Sequence, residues 1–301
     1  MRIASVLPSA TEIVHALGHG EDLVGRSAEC DYPLEARRLP VVMRPRTLDP
    51  ERPSREIDAR VRAARARDES LYELDVDLLR SLRPDLLLTQ DLCSVCSVTE
   101  GEVEDACARA GVRPRVLSLS PRTLAEVWRS VETIGRAIGD VRAGEALADR
   151  LRSAKPPTHD GPRRRVAVVE WLDPPILAGL WTPEIVEAAG GSPVGPAAGA
   201  PGQRTTWESL SHDAIDLLLL SPCSFPVPRT LRELESSELR REVARVAPPW
   251  GTYVADEAYF SRPGPRLAHG VRLVRDLLAG EAGSPPMPVA TFAAPVEGTS
   301  A

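Results

Sequence analysis

The stretch from Arg2 to Gly25, RIASVLPSATEIVHALGHGEDLVG, decides the fold. It predicts a short buried strand at residues 3–7, where four of the five side chains are apolar. Ser9 or Thr11 is then expected to cap a helix that ends at the glycines 18 and 20. A second strand begins at residue 23. A strand, a helix and a strand in this order are typical of an α/β domain, in which the helix N-terminus lies at the ligand-binding edge.

Length and charge exclude several classes of protein. A chain of 301 residues predicts about two domains, each with its own core. The net charge is -6 and the arginines are scattered among acidic residues, so no nucleic-acid-binding surface is expected. No membrane span is expected, because the longest apolar run, 214–220, is short and contains Asp216. Too few residues precede the first strand for a signal peptide, which predicts a cytoplasmic protein as given; a trimmed signal or a misassigned start would instead place it in the periplasm or outside the cell.

The cysteines leave the chemistry open. Five cysteines without a signal peptide predict reduced thiols rather than disulfides. Cys93 and Cys96 form a CxxC motif, but no second pair or matching histidines accompany it, so it is a weak metal signal. A metal or redox role and a structural or pocket-lining role both stay open. No Walker, HExxH or GxSxG motif is present, so enzymatic activity is uncertain and a binding role is favoured.

The remaining pattern predicts two α/β halves. Strands are expected at 86–89, 115–119, 165–170 and 217–220, and a closing helix at 266–278. Residues 50–68 are predicted to form a solvated helix and loop without a binding role. Helical spacing over 121–154, interrupted at Gly139–Asp140, predicts a long helical connector. The predicted organisation is an N-terminal α/β lobe at 1–120, a connecting helix at 121–158, a C-terminal α/β lobe at 159–280 and a disordered tail at 281–301.

Several short motifs together resemble a known family. They are LPSATE at 7–12, CDYP at 30–33, LRPDL at 82–86, WLDPP at 171–175, Gly190–Gly191 and SRPGPR at 261–266. In their order and spacing the chain resembles the periplasmic-binding-protein-like substrate-binding proteins of ABC importers, of the vitamin B12-binding and iron-chelate-binding type. The resemblance covers about residues 2–278. It implies the class III fold with a helical backbone: two Rossmann-like α/β lobes, bridged by a long helix, that clamp a ligand in the cleft between them.

The resemblance also implies a ligand and its contacts. The implied ligand is a corrinoid, cobalamin, carried as cargo and not as a catalytic cofactor; haem or a ferric siderophore is the alternative. An enzyme on the same fold that uses Cys93 and Cys96 is a further alternative. Flat aromatic faces suit such a disc-shaped ligand, although each aromatic residue could instead be a core residue near a turn. The implied ligand-binding residues are Tyr32, Gln90, Asp91, Leu92, Cys93, Trp171, Trp207, Tyr259 and Phe260, with Cys93 and Cys96 as candidate metal ligands.

Partner docking follows from the same resemblance. Family members that deliver a ligand to an ABC permease carry a docking glutamate on each lobe. The matching positions here are Asp77 and Asp213, which keep the charge but are one methylene shorter. A permease partner is therefore an expectation, with sequestration or sensing of the ligand as the alternative. A monomer is expected.

Overall fold

The computed structural model describes residues 1–46, 49, 51–91, 98–154, 163–211, 215–246, 248–281 and 289–292. The chain divides into two compact units. Each unit contains a sheet flanked by helices, so the predicted α/β class is confirmed. The first unit comprises Met1–Asp49, Ala59–Ala154 and Pro263–Pro265, and the second Pro50–Asp58, Lys155–Arg262 and Arg266–Ala301.

The first unit is built on a mostly parallel sheet. Its strand order is β4-β3-β2-β1-β5-β6, and the β3–β4 pair is antiparallel. Helices cover both faces, so β5 is buried along its whole length. Residues of α2 up to Asp58 are grouped with the second unit. The elements are β1 (Ile3–Ser5), α1 (Pro8–Ala16), β2 (Leu23–Ser27), β3 (Val41–Pro45), α2 (Ser54–Ala66), β4 (Tyr72–Leu74), α3 (Val76–Leu82), β5 (Leu86–Thr89), α4 (Glu100–Ala110), β6 (Arg115–Ser118), α5 (Leu124–Ile138) and α6 (Val141–Ser153).

The predicted helical connector is a pair of helices. The interruption predicted at Gly139–Asp140 is confirmed: Gly139 ends α5 with a φ of 87°, and the Asp140 side chain caps α6. The chain reverses there, because α5 and α6 pack against each other; a Cβ at Gly135 would lie 2.7 Å from the Cα of Gly144. Over the described residues 121–154 the predicted connector therefore consists of two helices, since a left-handed glycine turns the chain back. Residues 155–158 lie outside the described ranges.

The second unit has a mixed sheet. Its order is β10-β8-β7-β11-β12-β13, and β9 adds to β7. β7, β11 and β12 run parallel, while β8, β10 and β13 pair antiparallel with their neighbours. The elements are β7 (Arg165–Leu172), β8 (Pro175–Leu177), α7 (Thr182–Ala188), β9 (Ser192–Val194), β10 (Gln203–Arg204), α8 (Trp207–Ser211), β11 (Leu217–Leu220), α9 (Val227–Glu233), α10 (Ser237–Val246), β12 (Thr252–Ala255), α11 (Leu267–Leu278) and β13 (Val289–Phe292).

Strand β13 corrects the prediction of a disordered tail. Residues 289–292 pair antiparallel with β12, and the Phe292 ring is buried in the core of the second unit. Valine, threonine and phenylalanine favour strands, and this local preference outweighs the Pro- and Ala-rich composition around them. The prediction is wrong for these four residues. Residues 282–288 and 293–301 lie outside the described ranges.

In the described part of the chain, no helix has both the length and the apolar character that crossing a bilayer requires.

Candidate functional site

The carboxyl edge of the first unit's sheet is the candidate site in that unit. Strands β1, β2, β5 and β6 are parallel, so the loops that follow them leave the sheet at the same edge. The chain moves from β1 to β2 on one side and later returns with β5 on the other side of β1. Open α/β sheets bind ligands at such a switch point. The side chains that follow these strands are therefore the first to consider.

The loop that follows β2, residues 28–40, is braced by an arginine. Arg26 donates hydrogen bonds to the carbonyl oxygens of Ser27 at 2.9 Å, Ala28 at 3.1 Å and Arg37 at 3.1 Å. Above this brace the Tyr32 side chain is 49% exposed. Tyr32, a predicted ligand contact, is thus an exposed residue of a loop whose base is hydrogen-bonded to Arg26.

Buried polar side chains lie beneath that loop. The Thr11 hydroxyl is 2.9 Å from Ser5 Oγ and 3.1 Å from Cys30 Sγ, and all three residues are almost fully buried. The prediction that Ser9 or Thr11 caps α1 is wrong: Leu7 is the N-cap residue, no side chain caps the helix, and Pro8 opens it. Pro8 lacks an N–H, so one donor fewer needs a partner there.

The N-terminus of α1 is covered rather than open. Ser9 is 1% exposed, and a Cβ at Gly264, in the segment 263–265 of the same unit, would lie 3.4 Å from Ser9 Cβ. The sequence predicts free N–H groups at this point for a ligand. In the structure, residue 264 packs against Ser9 at this point.

The loop after β5 contains the next predicted contacts. Gln90 is 6% exposed, whereas Asp91 is exposed and its N–H donates to Ser120 Oγ at 3.3 Å. Leu92, Cys93 and Cys96 lie outside the described residues, so their ligand and metal roles stay predictions. Among the residues that the structure describes, no cluster of three or more His, Cys, Asp or Glu side chains could hold a metal ion.

Two tryptophans of the second unit differ in exposure. Trp171 lies in β7, is partly exposed, and packs its ring 5.3 Å from that of Phe225. Trp207 opens α8 and is 5% exposed within the core. Both indole nitrogens are buried without a hydrogen-bond partner in the described structure. Trp171 therefore has surface to offer a ligand, while the burial of Trp207 is explained by packing.

The turn after β12 is tightly packed. Tyr259 is 8% exposed and Phe260 2%. The Trp181 indole N–H donates to the carbonyl oxygen of Phe260 at 2.6 Å, and Glu257 pairs with Arg262 at 2.6 Å. These contacts account for the burial of both aromatic residues within the unit. Their predicted role as ligand contacts stays a prediction, as it does for Gln90 and Trp207.

The segment 51–58 was predicted to be solvated, but the second unit holds it firmly. The Ser54 N–H and hydroxyl donate to Glu233 Oε1 at 2.8 and 2.7 Å, and Arg229 donates to Glu233 Oε2 at 2.8 Å. The Arg229 and Glu233 side chains are only 7% and 9% exposed. The Pro53–Ser54 pair is typical of a helix start, and it was the one feature of the sequence that indicated an ordered role for this segment.

Beside this segment lies a cavity of about 480 Å³ in the second unit. Its walls include Arg55, paired with Asp173 at 2.8 Å, and the acidic residues Glu238 and Glu242 of α10. Pockets for macrocyclic ligands are lined mainly by apolar and aromatic side chains. The charged walls therefore make this cavity a poor match for a tetrapyrrole.

One of the two predicted docking residues is described. Asp77 lies in the first turn of α3, its side chain is 87% exposed, and it pairs with Arg80. Asp213 lies outside the described residues. Asp77 is thus accessible to a partner, and docking itself stays a prediction.

Comparison with known proteins identifies the fold. No protein-family model matches the chain. A periplasmic heme-binding protein from Pseudomonas aeruginosa superposes with a TM-score of 0.69 and 19% identity over 97% of this chain and 98% of that one. The periplasmic vitamin B12-binding protein BtuF of Vibrio cholerae gives 0.64 and 18% identity over 94% and 98%. The chain has the periplasmic-binding-protein fold. The resemblance that the motifs indicate is confirmed at the level of the fold.

One curated relative has detectable sequence similarity. It is the uncharacterized ABC transporter substrate-binding lipoprotein YvrC of Bacillus subtilis (strain 168), 26% identical over 153 residues. The match covers 50% of this chain and 38% of the relative, so it spans less than two thirds of the relative's length.

Proposed function

We propose that this chain is the substrate-binding protein of an ABC importer and that it carries a large metal chelate of the tetrapyrrole class, cobalamin first. The observation that carries the proposal is the braced loop after β2, which holds Tyr32 out at the ligand-binding edge of a sheet with the periplasmic-binding-protein fold. A broad, flat ligand gains contact area from a rigid aromatic ring at little entropic cost.

The chemistry of this role is binding without turnover. On the first unit, Tyr32 would supply aromatic contact and the exposed Asp91 would accept hydrogen bonds from amides at the edge of a corrin. The partly exposed Trp171 of the second unit stays a predicted aromatic contact. The metal ion belongs to the cargo, held by its own macrocycle. No group of this chain needs to reach it for the ligand to be retained.

Haem is the second candidate ligand. It differs from cobalamin in carrying carboxylates at its edge, which arginine recognises well. Arg37 and Arg38 are both exposed in the same loop as Tyr32.

An importer role implies a permease and a place of action. The proposed partner is the membrane-spanning permease, with Asp77 as one docking residue because its carboxylate is exposed. Substrate-binding proteins meet their permeases on the outer side of the cytoplasmic membrane, so we propose that location in place of the cytoplasm.

The test is a titration of the full chain with cyanocobalamin, haemin and a ferric siderophore, followed by absorbance and calorimetry. We expect saturable one-to-one binding of cyanocobalamin or haemin, weakened about tenfold or more by Tyr32→Ala. Binding of the siderophore alone would overturn the tetrapyrrole class and favour the iron-chelate alternative. The matched control is Val141→Ala, another exposed apolar position of the first unit, 42% exposed, which should bind as the unaltered chain does. Failure of all three ligands to bind would overturn the proposal.

A further inference from the structure

Exposed apolar side chains are concentrated in the loop after β2. Among the described residues, the large apolar side chains with substantial exposure are Met1, Tyr32, Leu34, Val141 and Leu231. Tyr32 and Leu34 are only two positions apart in the chain, and Leu34 is 68% exposed. Neighbouring exposed apolar side chains mark surfaces that contact other molecules, whereas single ones are ordinary.

The base of this loop is held by a network of buried hydroxyl and thiol groups. The Thr11 hydroxyl lies 2.9 Å from Ser5 Oγ and 3.1 Å from Cys30 Sγ, and Ser5 Oγ donates to the carbonyl oxygen of Leu7 at 3.0 Å. The Cys30 thiol donates toward the carbonyl oxygen of Ser5 at 3.9 Å. Helix α1, strand β1 and the start of the loop thereby meet at three side chains.

Neighbouring contacts fix the rest of the loop base. The Glu29 N–H donates to Ser27 Oγ at 3.3 Å, and the Tyr72 hydroxyl donates to Glu29 Oε1 at 3.1 Å. With the Arg26 brace, these bonds tie the residues on both sides of Cys30 to the sheet. A loop fixed in this way does not have to be ordered when a ligand arrives, which preserves affinity.

We propose that Ser5, Thr11 and Cys30 form a positioning network that seats the loop 28–40, and that Leu34 is a ligand contact beside Tyr32. The two side chains then present a preformed apolar surface to the face or rim of a macrocyclic chelate. This inference rests on the proposed function. The occupant is the ligand and not a protein, because the loop leaves the sheet at the carboxyl edge where α/β sheets bind small molecules.

The positioning role is tested with Thr11→Val, which keeps the shape of the side chain and removes its hydroxyl. We expect affinity for the ligand to fall about fivefold to tenfold and backbone hydrogen exchange in residues 28–40 to accelerate. Thr11→Ser, which keeps the hydroxyl, should restore both. Unchanged exchange and unchanged affinity in Thr11→Val would overturn the positioning role.

A matched pair of cysteines separates positioning from general stability. Cys30 and Cys107 are both buried, at 1% and 5% exposure, but Cys107 lies on α4 and is not a member of the network. Cys30→Ala should weaken ligand binding and loosen residues 28–40, whereas Cys107→Ala should leave binding unchanged. Equal effects of the two variants on binding would reduce the network to a structural role and overturn the inference.

The contact role is tested with Leu34→Ser against Val141→Ser, two exposed positions of the first unit. We expect about tenfold weaker binding for the first variant and no change for the second. Equal affinity of Leu34→Ser and the unaltered chain overturns the contact. If the unaltered chain binds none of the ligands, the proposed function has failed. If the unaltered chain binds a ligand and the Thr11, Cys30 and Leu34 variants bind it equally well, the further inference alone has failed.

Discussion

The loop after β2 and the turn after β12 each follow a parallel strand and carry aromatic residues, but they place them oppositely. In the loop, hydrogen bonds to the backbone hold the base and Tyr32 is 49% exposed. In the turn, Phe260 is 2% exposed and Trp181 donates a hydrogen bond to its carbonyl oxygen. An aromatic residue after a strand can therefore be exposed or buried, and the local sequence pattern does not tell which.

The largest effect is expected for Phe260→Ala. Removing a fully buried phenyl ring leaves a cavity, which should lower the free energy of unfolding by about 3–5 kcal/mol. Chemical denaturation followed by circular dichroism measures it. Tyr32→Ala is the matched variant from the other loop. If Phe260→Ala lowers the free energy of unfolding by less than about 1 kcal/mol, the two aromatic residues contribute alike to stability and the contrast between the loop and the turn is wrong.

Next in size is Glu257→Ala. Its carboxylate pairs with Arg262 at 2.6 Å, and the two side chains are 6% and 14% exposed. Without the carboxylate, a mostly buried guanidinium loses this ion pair, which should cost about 3 kcal/mol. Glu238→Ala, at an exposed glutamate of the same unit, is the control and should stay within about 0.5 kcal/mol. Equal melting behaviour of the two variants would show that the ion pair does not stabilise the turn.

A smaller effect is the pH dependence that His269 gives to the stability of the second unit. Burial, with repulsion from Arg266 and Arg272, lowers the pKa of His269, whose ring packs against Tyr259. The unfolded chain then binds a proton more readily, so stability falls as pH drops below about 6.5 toward the lowered folded pKa. Intrinsic amide exchange slows on acidification, so the measurement is the protection factor, the ratio of the intrinsic to the observed exchange rate. We expect the protection factors of α11 to fall on acidification and His269→Gln to reduce this fall. Protection factors independent of pH would contradict it.

The pKa of His19, in the first unit, is shifted in the opposite direction to that of His269. Its hydrogen bond to Asp22 at 2.7 Å, with a longer one to Asp140, raises its pKa. The stabilisation is complete below about 6.5 and is lost as pH rises through the raised folded pKa. We expect the protection factors of amides near the α5–α6 turn, which are corrected for intrinsic exchange, to fall as pH rises, and His19→Gln to remove that fall. The same fall in the variant would show that His19 is not its source.

The smallest stability effect is expected for Tyr32→Ala. Because about half of its side chain is in solvent, the free energy of unfolding should change by no more than about 0.5 kcal/mol. The measurement is the same denaturation experiment as for Phe260→Ala. A loss of unfolding free energy near that of Phe260→Ala would show that Tyr32 is a core residue, and it would count against the loop as a contact surface.

Local sequence patterns predicted much of the fold. The apolar runs at 86–89 and 217–220 correctly marked β5 and β11. Short strands such as β8 and β10 escaped prediction, because segments of two or three residues show no readable periodicity and form only against a neighbouring strand.

The candidate site was only partly readable. Of the residues that the motifs point to, Tyr32 and Asp91 are exposed, whereas Trp207 and Phe260 are buried, and the ligand-binding role of all four stays a prediction. Nothing in the sequence distinguishes a tryptophan that opens a short helix into the core from one at a surface. The buried network of Ser5, Thr11 and Cys30 was equally hidden, because its members are far apart in the chain.

What the sequence by itself determined is the order of elements and the α/β class, since these depend on neighbours a few residues apart: apolar spacing, a proline that opens α1, a left-handed glycine that closes α5. Only the tertiary structure decided which aromatic side chains face solvent, that α5 and α6 fold back on each other, and that residues 289–292 complete a sheet. Those outcomes depend on contacts between residues distant in sequence, and burial is a property of the packed whole.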